Sequence, residues 1–168
     1  AEPVAEKPAV APTVDLELEF APGREERFRL IFNNERGYRF EQPARDEVTD
    51  ERNKHNLEMV YTRRIKSVDS DGEATAEITI EQLKYFAQTK NKVDLDFDST
   101  RAADKNDPLA RTVGRSYTIK IAPDGNVKVA DLQDLYAAVK NTQAEALVEA
   151  VFGADRVTEF HTIPALPE

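Results

Sequence analysis

At 168 residues the chain has room for one ordinary domain with a single hydrophobic core. Its 23 Lys and Arg against 32 Asp and Glu leave a net charge of −9, which repels a nucleic-acid phosphate backbone, and the absence of Cys excludes disulfides, thiolate metal sites and thiol nucleophiles. No apolar run reaches the roughly 18 residues that a membrane-spanning helix needs.

Residues 1–13 hold Pro3, Pro8 and Pro12 among Ala, Val and Glu, a composition that favours an extended, polyproline-type arm. The start, Ala1-Glu2-Pro3 without Met, has the character of a mature end left after a signal peptide is removed. The expected location is therefore extracytoplasmic, in the periplasm or at the surface of a bacterium; a trimmed Met is the plainer account. Residues 14–168 are expected to form a single β-rich domain ending in helices over 131–161.

Val14, Leu16, Leu18 and Phe20 alternate with acidic residues, the period of a strand that buries one face. Pro22-Gly23 turns the chain, and Phe28, Leu30 and Phe32 repeat the alternation, which predicts a hairpin partner for the first strand. Tyr38 and Phe40 open a third strand, and the charged residues 41–54 are expected to include a loop. Leu57, Met59, Tyr61 and Ile65 lead into the turn Asp69-Ser70-Asp71-Gly72, beyond which Ala74, Ala76, Ile78 and Ile80 alternate cleanly with polar residues. Leu83, Tyr85 and Phe86 break that phase, as a bulge or an edge crossing does. Val93, Leu95 and Phe97 resume it before a polar stretch to about Gly114.

Tyr117, Ile119 and Ile121, then Pro123-Asp124-Gly125-Asn126, then Val127 and Val129 read as a hairpin. After Ala130 the apolar period becomes about 3.6: Leu132, Leu135, Tyr136 and Val139 follow Asp131 as the N-cap. Thr142 to Glu145 has capping-box spacing before Leu147, Val148, Val151 and Phe152, with Gly153 as the C-terminal stop. Val157 and Phe160 allow a third helix ending at Pro164. The predicted fold class is α+β, a predominantly antiparallel curved sheet of about seven strands covered by two to three short C-terminal helices.

Candidate chemistry is sparse. Asp94, Asp96 and Asp98 resemble the start of a calcium loop, but Ser99 stands where its Gly belongs and Lys105 where its bidentate Glu belongs, so a solvated strand face is expected. Asp69 and Asp71 read as turn residues. His55 and His161 have no metal-ligand spacing, and none of Ser67, Ser70, Ser99 and Ser116 lies in a Gly-x-Ser-x-Gly elbow, so both histidines are expected at the surface or at helix ends. Carboxylates are numerous enough that some pair lies close in space, which carries no specificity for catalysis. Arg63, Arg64 and Lys66 form a basic group expected to pair with Glu77 and Glu81 across the hairpin. These patterns predict no catalytic, cofactor or metal site.

The turns and strand starts Ser67-Val68-Asp69-Ser70-Asp71-Gly72, Asp98-Ser99-Thr100, Asn106-Asp107-Pro108-Leu109-Ala110, Gly114-Arg115-Ser116-Tyr117-Thr118-Ile119 and Pro123-Asp124-Gly125, with the helices and Pro164-Ala165-Leu166-Pro167-Glu168, resemble the N-terminal half of a family of uncharacterised secreted or lipid-anchored bacterial cell-envelope proteins. The resemblance runs from about Ile65 to Glu168 and brings no catalytic residues. It implies a second β-rich half beyond this chain, hence an exposed sheet edge, and the lack of a Cys sets the chain apart from the lipid-anchored members.

The expected function is a non-catalytic structural or accessory protein that docks on protein partners, or on copies of itself as a filament subunit, through an open strand edge or through Val14, Leu16, Leu18 and Phe20. The alternative expectation is a carrier of a lipid or other apolar molecule in a half-barrel cavity lined by Phe28, Phe32, Ile78, Ile80 and Phe97.

Overall fold

The computed structural model describes residues 18–42, 44, 45 and 47–162. They form the expected α+β fold, an open antiparallel sheet of six strands followed by three short helices. The strands are β1 (Glu25–Gln42), β2 (Glu47–Val68), β3 (Ala74–Thr89), β4 (Lys92–Asp98), β5 (Ser116–Ile121) and β6 (Val127–Asp131). The helices are α1 (Gln133–Val139), α2 (Glu145–Val151) and α3 (Ala154–His161). The sheet runs β1-β2-β3-β5-β6, with β4 also paired to β3. Strand β3 is thus shared: Ala74 to Thr79 face β5, and Lys84 to Thr89 face β4.

The first hairpin differs from expectation. Phe28 stands opposite Tyr61 of β2, residues 18–20 are not in a strand, and 14–17 lie outside the described residues. Tyr38 and Phe40 continue β1 without a break, and residues 47–54 extend β2, so one hairpin of 18 and 22 residues replaces three short strands and a loop. The described residues thus hold six strands, against about seven expected over the whole chain. Physically, β1 contains no proline and a single glycine, so nothing stops the strand. Its far end is charged on both faces because it overhangs the core and has nothing to bury.

The broken phase after Ile80 is a bulge. Ile80 faces Tyr61 and Gln82 faces Val60, which leaves Glu81 as the extra residue. That insertion returns Leu83, Tyr85 and Ala87 to the face already occupied by Ala74, Ala76, Ile78 and Ile80, so an apolar series that changes parity in sequence stays on one side of the sheet. The Glu81 carboxylate accepts hydrogen bonds from the Thr62 hydroxyl and, at 2.6 Å, from Arg27 Nε, and these hold its pKa below the usual carboxylate value.

The three helices cover this inner face. Leu135, Val139, Val148, Phe152 and Val157 are fully buried with Met59, Ile78, Ile80, Ile119 and Ile121 in one core. At α1 the Asp131 carboxylate accepts the Gln133 amide at 2.8 Å. At α2 the Thr142 hydroxyl accepts the Ala144 amide, and Glu145 reaches back to the Asn141 amide at 2.8 Å, a capping box displaced by one residue. Gly153 does not end α2 as a left-handed cap; its φ is −58°, and it precedes α3 where a Cβ would lie 3.0 Å from the Glu149 carbonyl oxygen. Gly72, by contrast, has φ +82° in the β2–β3 turn, where Asp69 accepts the Asp71 and Glu73 amides.

The outer face is polar and cross-linked by ion pairs: Arg29 to Glu58 at 2.9 Å, Lys84 to Asp98 at 3.6 Å and Lys66 to Glu77 at 3.3 Å. Of the pairs expected for the basic group, Lys66–Glu77 forms, whereas Glu81 pairs with Arg27 of β1. Arg63 turns to the inner side and pairs with Glu26 at 2.7 Å. Exposed pairs of this kind contribute little stability individually, and they keep the uncovered face in water.

Candidate functional site

Among the described residues three features could act as sites. The first is polar and buried. His161, the last residue of α3, is only 8% exposed, and its Nε2 lies 2.7 Å from the Tyr117 hydroxyl on β5. The Tyr61 ring meets the imidazole edge-on at 5.1 Å. Burial, assisted by the Arg63 guanidinium, lowers the His161 pKa to about 4, and burial raises that of Tyr117 well above its ordinary value. His161 is therefore a helix-end residue as expected, yet an interior and neutral one. It fixes the end of α3 to the sheet. Beside it Arg63 lies 4.6 Å over the Phe28 ring, and its buried Nε has no hydrogen-bond partner among the described residues.

The second feature is a cleft of about 280 Å3 where the inner face emerges from under α2 and α3. Phe32, Leu57, Val151 and Phe160 form its apolar walls, and Asn34, His55, Tyr85 and Arg156 its polar rim. His55 Nδ1 lies 3.2 Å from the Tyr85 hydroxyl, and Arg156 sits 5.5 Å over the Phe32 ring while pairing with Glu159 at 2.9 Å. The five residues expected to line a cavity do not do so together. Ile78, Ile80 and Phe97 are fully buried in the packed core, Phe28 stacks on Tyr61 at 5.4 Å, and only Phe32 borders this opening. The gap arises because the helices stop short of the overhanging part of β1 and β2. Of its rim, Arg156 was not legible as a site residue, since it fits an ordinary helix position.

The third feature is the edge strand β1. Among the described residues it has a partner, β2, on one side only. The Ile65 amide donates to the Arg24 carbonyl at 2.9 Å, and the register opposes Glu25 to Arg64, so even-numbered residues of β1 turn their main-chain groups to β2. The odd-numbered residues from Glu25 to Glu41 turn theirs outward. Ile31 is 54% exposed on this edge, and Phe40 (53%) and Tyr38 stack on each other at 6.4 Å farther along it. The overhang is tied to the β3–β4 turn. There Lys90 and Asn91 take positive φ, and Asn91 bonds the Arg52 amide and the Asp50 carbonyl at 3.0 and 2.8 Å.

Of the arm residues expected to bind a partner, Val14 and Leu16 lie outside the described residues. The Leu18 amide donates to the Pro123 carbonyl at 2.9 Å, and Phe20 packs against the rim of the core, so both rest on their own chain. Residues 18–24 therefore run from the β5–β6 turn to the start of β1. Asp98 accepts from Thr100 and faces Lys84, while Asp96 pairs with Arg101 at 3.0 Å. Among the described residues no three His, Asp or Glu side chains are placed to hold a metal ion, and no helix is long and apolar enough to cross a membrane. The Ser99 and Ser116 hydroxyls serve the sheet, accepting the Leu83 amide and sharing a hydrogen bond with Thr79. Comparison with protein-family models, curated proteins and solved structures finds no match to this chain.

Proposed function

We propose that this chain is a non-catalytic structural or accessory protein, acting outside the cytoplasm of a bacterium, that accepts an extended segment of a protein partner as an added strand along β1. The observation that carries this reading is an 18-residue edge strand whose outward main-chain groups are unpaired among the described residues. Strand addition draws affinity from main-chain hydrogen bonds and asks little of side chains, which suits an acidic chain without a recognisable catalytic motif. The sequence resemblance to secreted envelope proteins supports the location.

Ile31→Pro tests it. The Ile31 amide faces outward and its side chain is exposed, so proline removes a donor from the edge while sparing the β1–β2 ladder. A polypeptide that co-purifies with the natively expressed chain, identified by mass spectrometry and titrated back, is expected to bind the variant at least about tenfold more weakly. Equal affinity for a variant with unchanged far-UV circular dichroism would reject the edge as the docking surface.

A second reading, a carrier of an apolar or amphipathic molecule, is favoured by the cleft at Phe32 and Phe160, whose apolar walls and Arg156 and His55 rim suit a short acyl chain with a polar head. Solvent extraction of the natively purified protein is expected to yield a stoichiometric lipid if this reading holds; an empty extract rejects it.

A further inference from the structure

We propose that β1 pairs with β1 of a second copy of this chain, antiparallel about a two-fold axis at Ile31, so that the two sheets join into one. The inference rests on the reading of β1 as a docking edge and names the partner. An isologous contact requires a strand that is complementary to its own reversal, and the β1 sequence meets that condition with the most apolar contact in one register.

With Ile31 opposite Ile31, residues whose numbers sum to 62 face each other. On the outer face this sets Arg27 against Glu35 of the second copy; on the inner face it sets Glu26 against Arg36, and Leu30 against Phe32. Each of these pairs occurs twice by symmetry. Arg24 falls opposite Tyr38, in reach of its ring, and Glu25 falls opposite Gly37. No like charges meet anywhere between Arg24 and Tyr38. Main-chain parity also agrees, because the odd-numbered residues that direct their groups outward face other odd-numbered residues.

Neighbouring registers are worse. An axis at Leu30 sets Glu25 against Glu35 and Arg24 against Arg36, and an axis at Asn33 sets Arg27 against Arg39 and Glu25 against Glu41. An axis at Phe32 also avoids like charges, setting Phe32 against Phe32, Glu25 against Arg39 and Arg29 against Glu35, but it places Ile31 against Asn33 and Leu30 against Asn34, one apolar contact where the Ile31 axis has three. The exposure of Ile31, 54% on an otherwise ion-paired outer face, is what the Ile31 axis would cover.

The chain contains no Cys, so single cysteines report the register without background. Under mild oxidation Ile31→Cys is expected to form a covalent dimer, since directly opposed residues at a hydrogen-bonded position lie about 5.5 Å apart between Cα atoms, within disulfide reach. Phe32→Cys should remain reduced, because in this register the two copies of residue 32 are displaced diagonally beyond that reach. Sedimentation equilibrium of the unmodified chain is expected to show a dimer that weakens as salt rises. In Ile31→Pro its dissociation constant should increase at least about tenfold.

Preferential cross-linking of Phe32→Cys would overturn the register. A monomer at all concentrations up to about 100 μM, an affinity a standard interface exceeds, would overturn the self-pairing. If that monomer still binds a different polypeptide along β1, in a manner lost in Ile31→Pro, the docking edge stands and only the identity of its occupant changes. A dimer that persists in Ile31→Pro and fails to cross-link through Ile31→Cys would place the contact elsewhere on the molecule.

Discussion

Replacing Phe152 by Ala is expected to lower folding stability by about 3–5 kcal/mol, the range for removing a buried aromatic side chain. The cost is high because of what Phe152 joins. It caps the C-terminal end of α2, its ring lies 6.3 Å from that of Tyr117 on β5, and its carbonyl accepts the Tyr136 hydroxyl of α1 at 3.0 Å. One side chain thus touches the sheet while its backbone holds a second helix. Urea denaturation followed by far-UV circular dichroism measures the loss. Phe40→Ala on the overhanging hairpin is the control. That ring is exposed and stacks only on Tyr38, so its removal should change stability by no more than about 0.5 kcal/mol. Comparable losses in the two variants would mean that the helices do not rest on the sheet through Phe152.

The same contrast explains which parts of the fold were legible in the sequence. Wherever one face is buried, alternation reports it: Ala74 to Ile80 and Tyr117 to Ile121 occupy the inner face as their spacing indicates. The phase break that the Glu81 bulge causes was also visible, though an edge crossing would read the same, because inserting one residue reverses the parity of every later apolar residue. The overhang was not. From Asn33 to Gln42 and from Glu47 to Lys54 the strands bury little, so no period is written into their side chains, and charge there resembles a loop. The available signal was negative: β1 contains no proline and only one glycine. The pairing of Phe28 with Tyr61 was equally hidden, since local alternation identifies a strand without naming its neighbour. Both candidate surfaces depend on these two unreadable facts. The free edge exists because β1 pairs with β2 alone among the described residues, and the cleft exists because β1 and β2 outrun the helices.

His161 should make the protein sensitive to mild acid in a window that its carboxylates do not share. In the unfolded chain a histidine titrates near about 6.5, whereas in the fold His161 titrates at about 4, first because it is buried and second because Arg63 repels a further positive charge. Between those values the unfolded state binds the proton and the folded state does not, so stability rises with pH. The contribution is complete above about pH 6.5 and is lost progressively as pH falls to about 4, amounting to about 3 kcal/mol over that interval. Glu26, Glu81 and Asp98 act lower. Their pKa values are depressed by Arg63 and Arg24, by Thr62 and Arg27, and by Thr100 and Lys84, so their protonation removes stability only as pH falls through the ordinary carboxylate range and below. Denaturation curves at pH 7, 5.5 and 4 for the native chain and for His161→Gln separate the two effects. A glutamine can still bond the Tyr117 hydroxyl but cannot take up the proton, so the native chain should lose about 3 kcal/mol more than the variant between pH 7 and 4, with most of the difference present by pH 5. Parallel losses would mean that the imidazole is solvated in the folded state and that the end of α3 lifts from Tyr117 without cost.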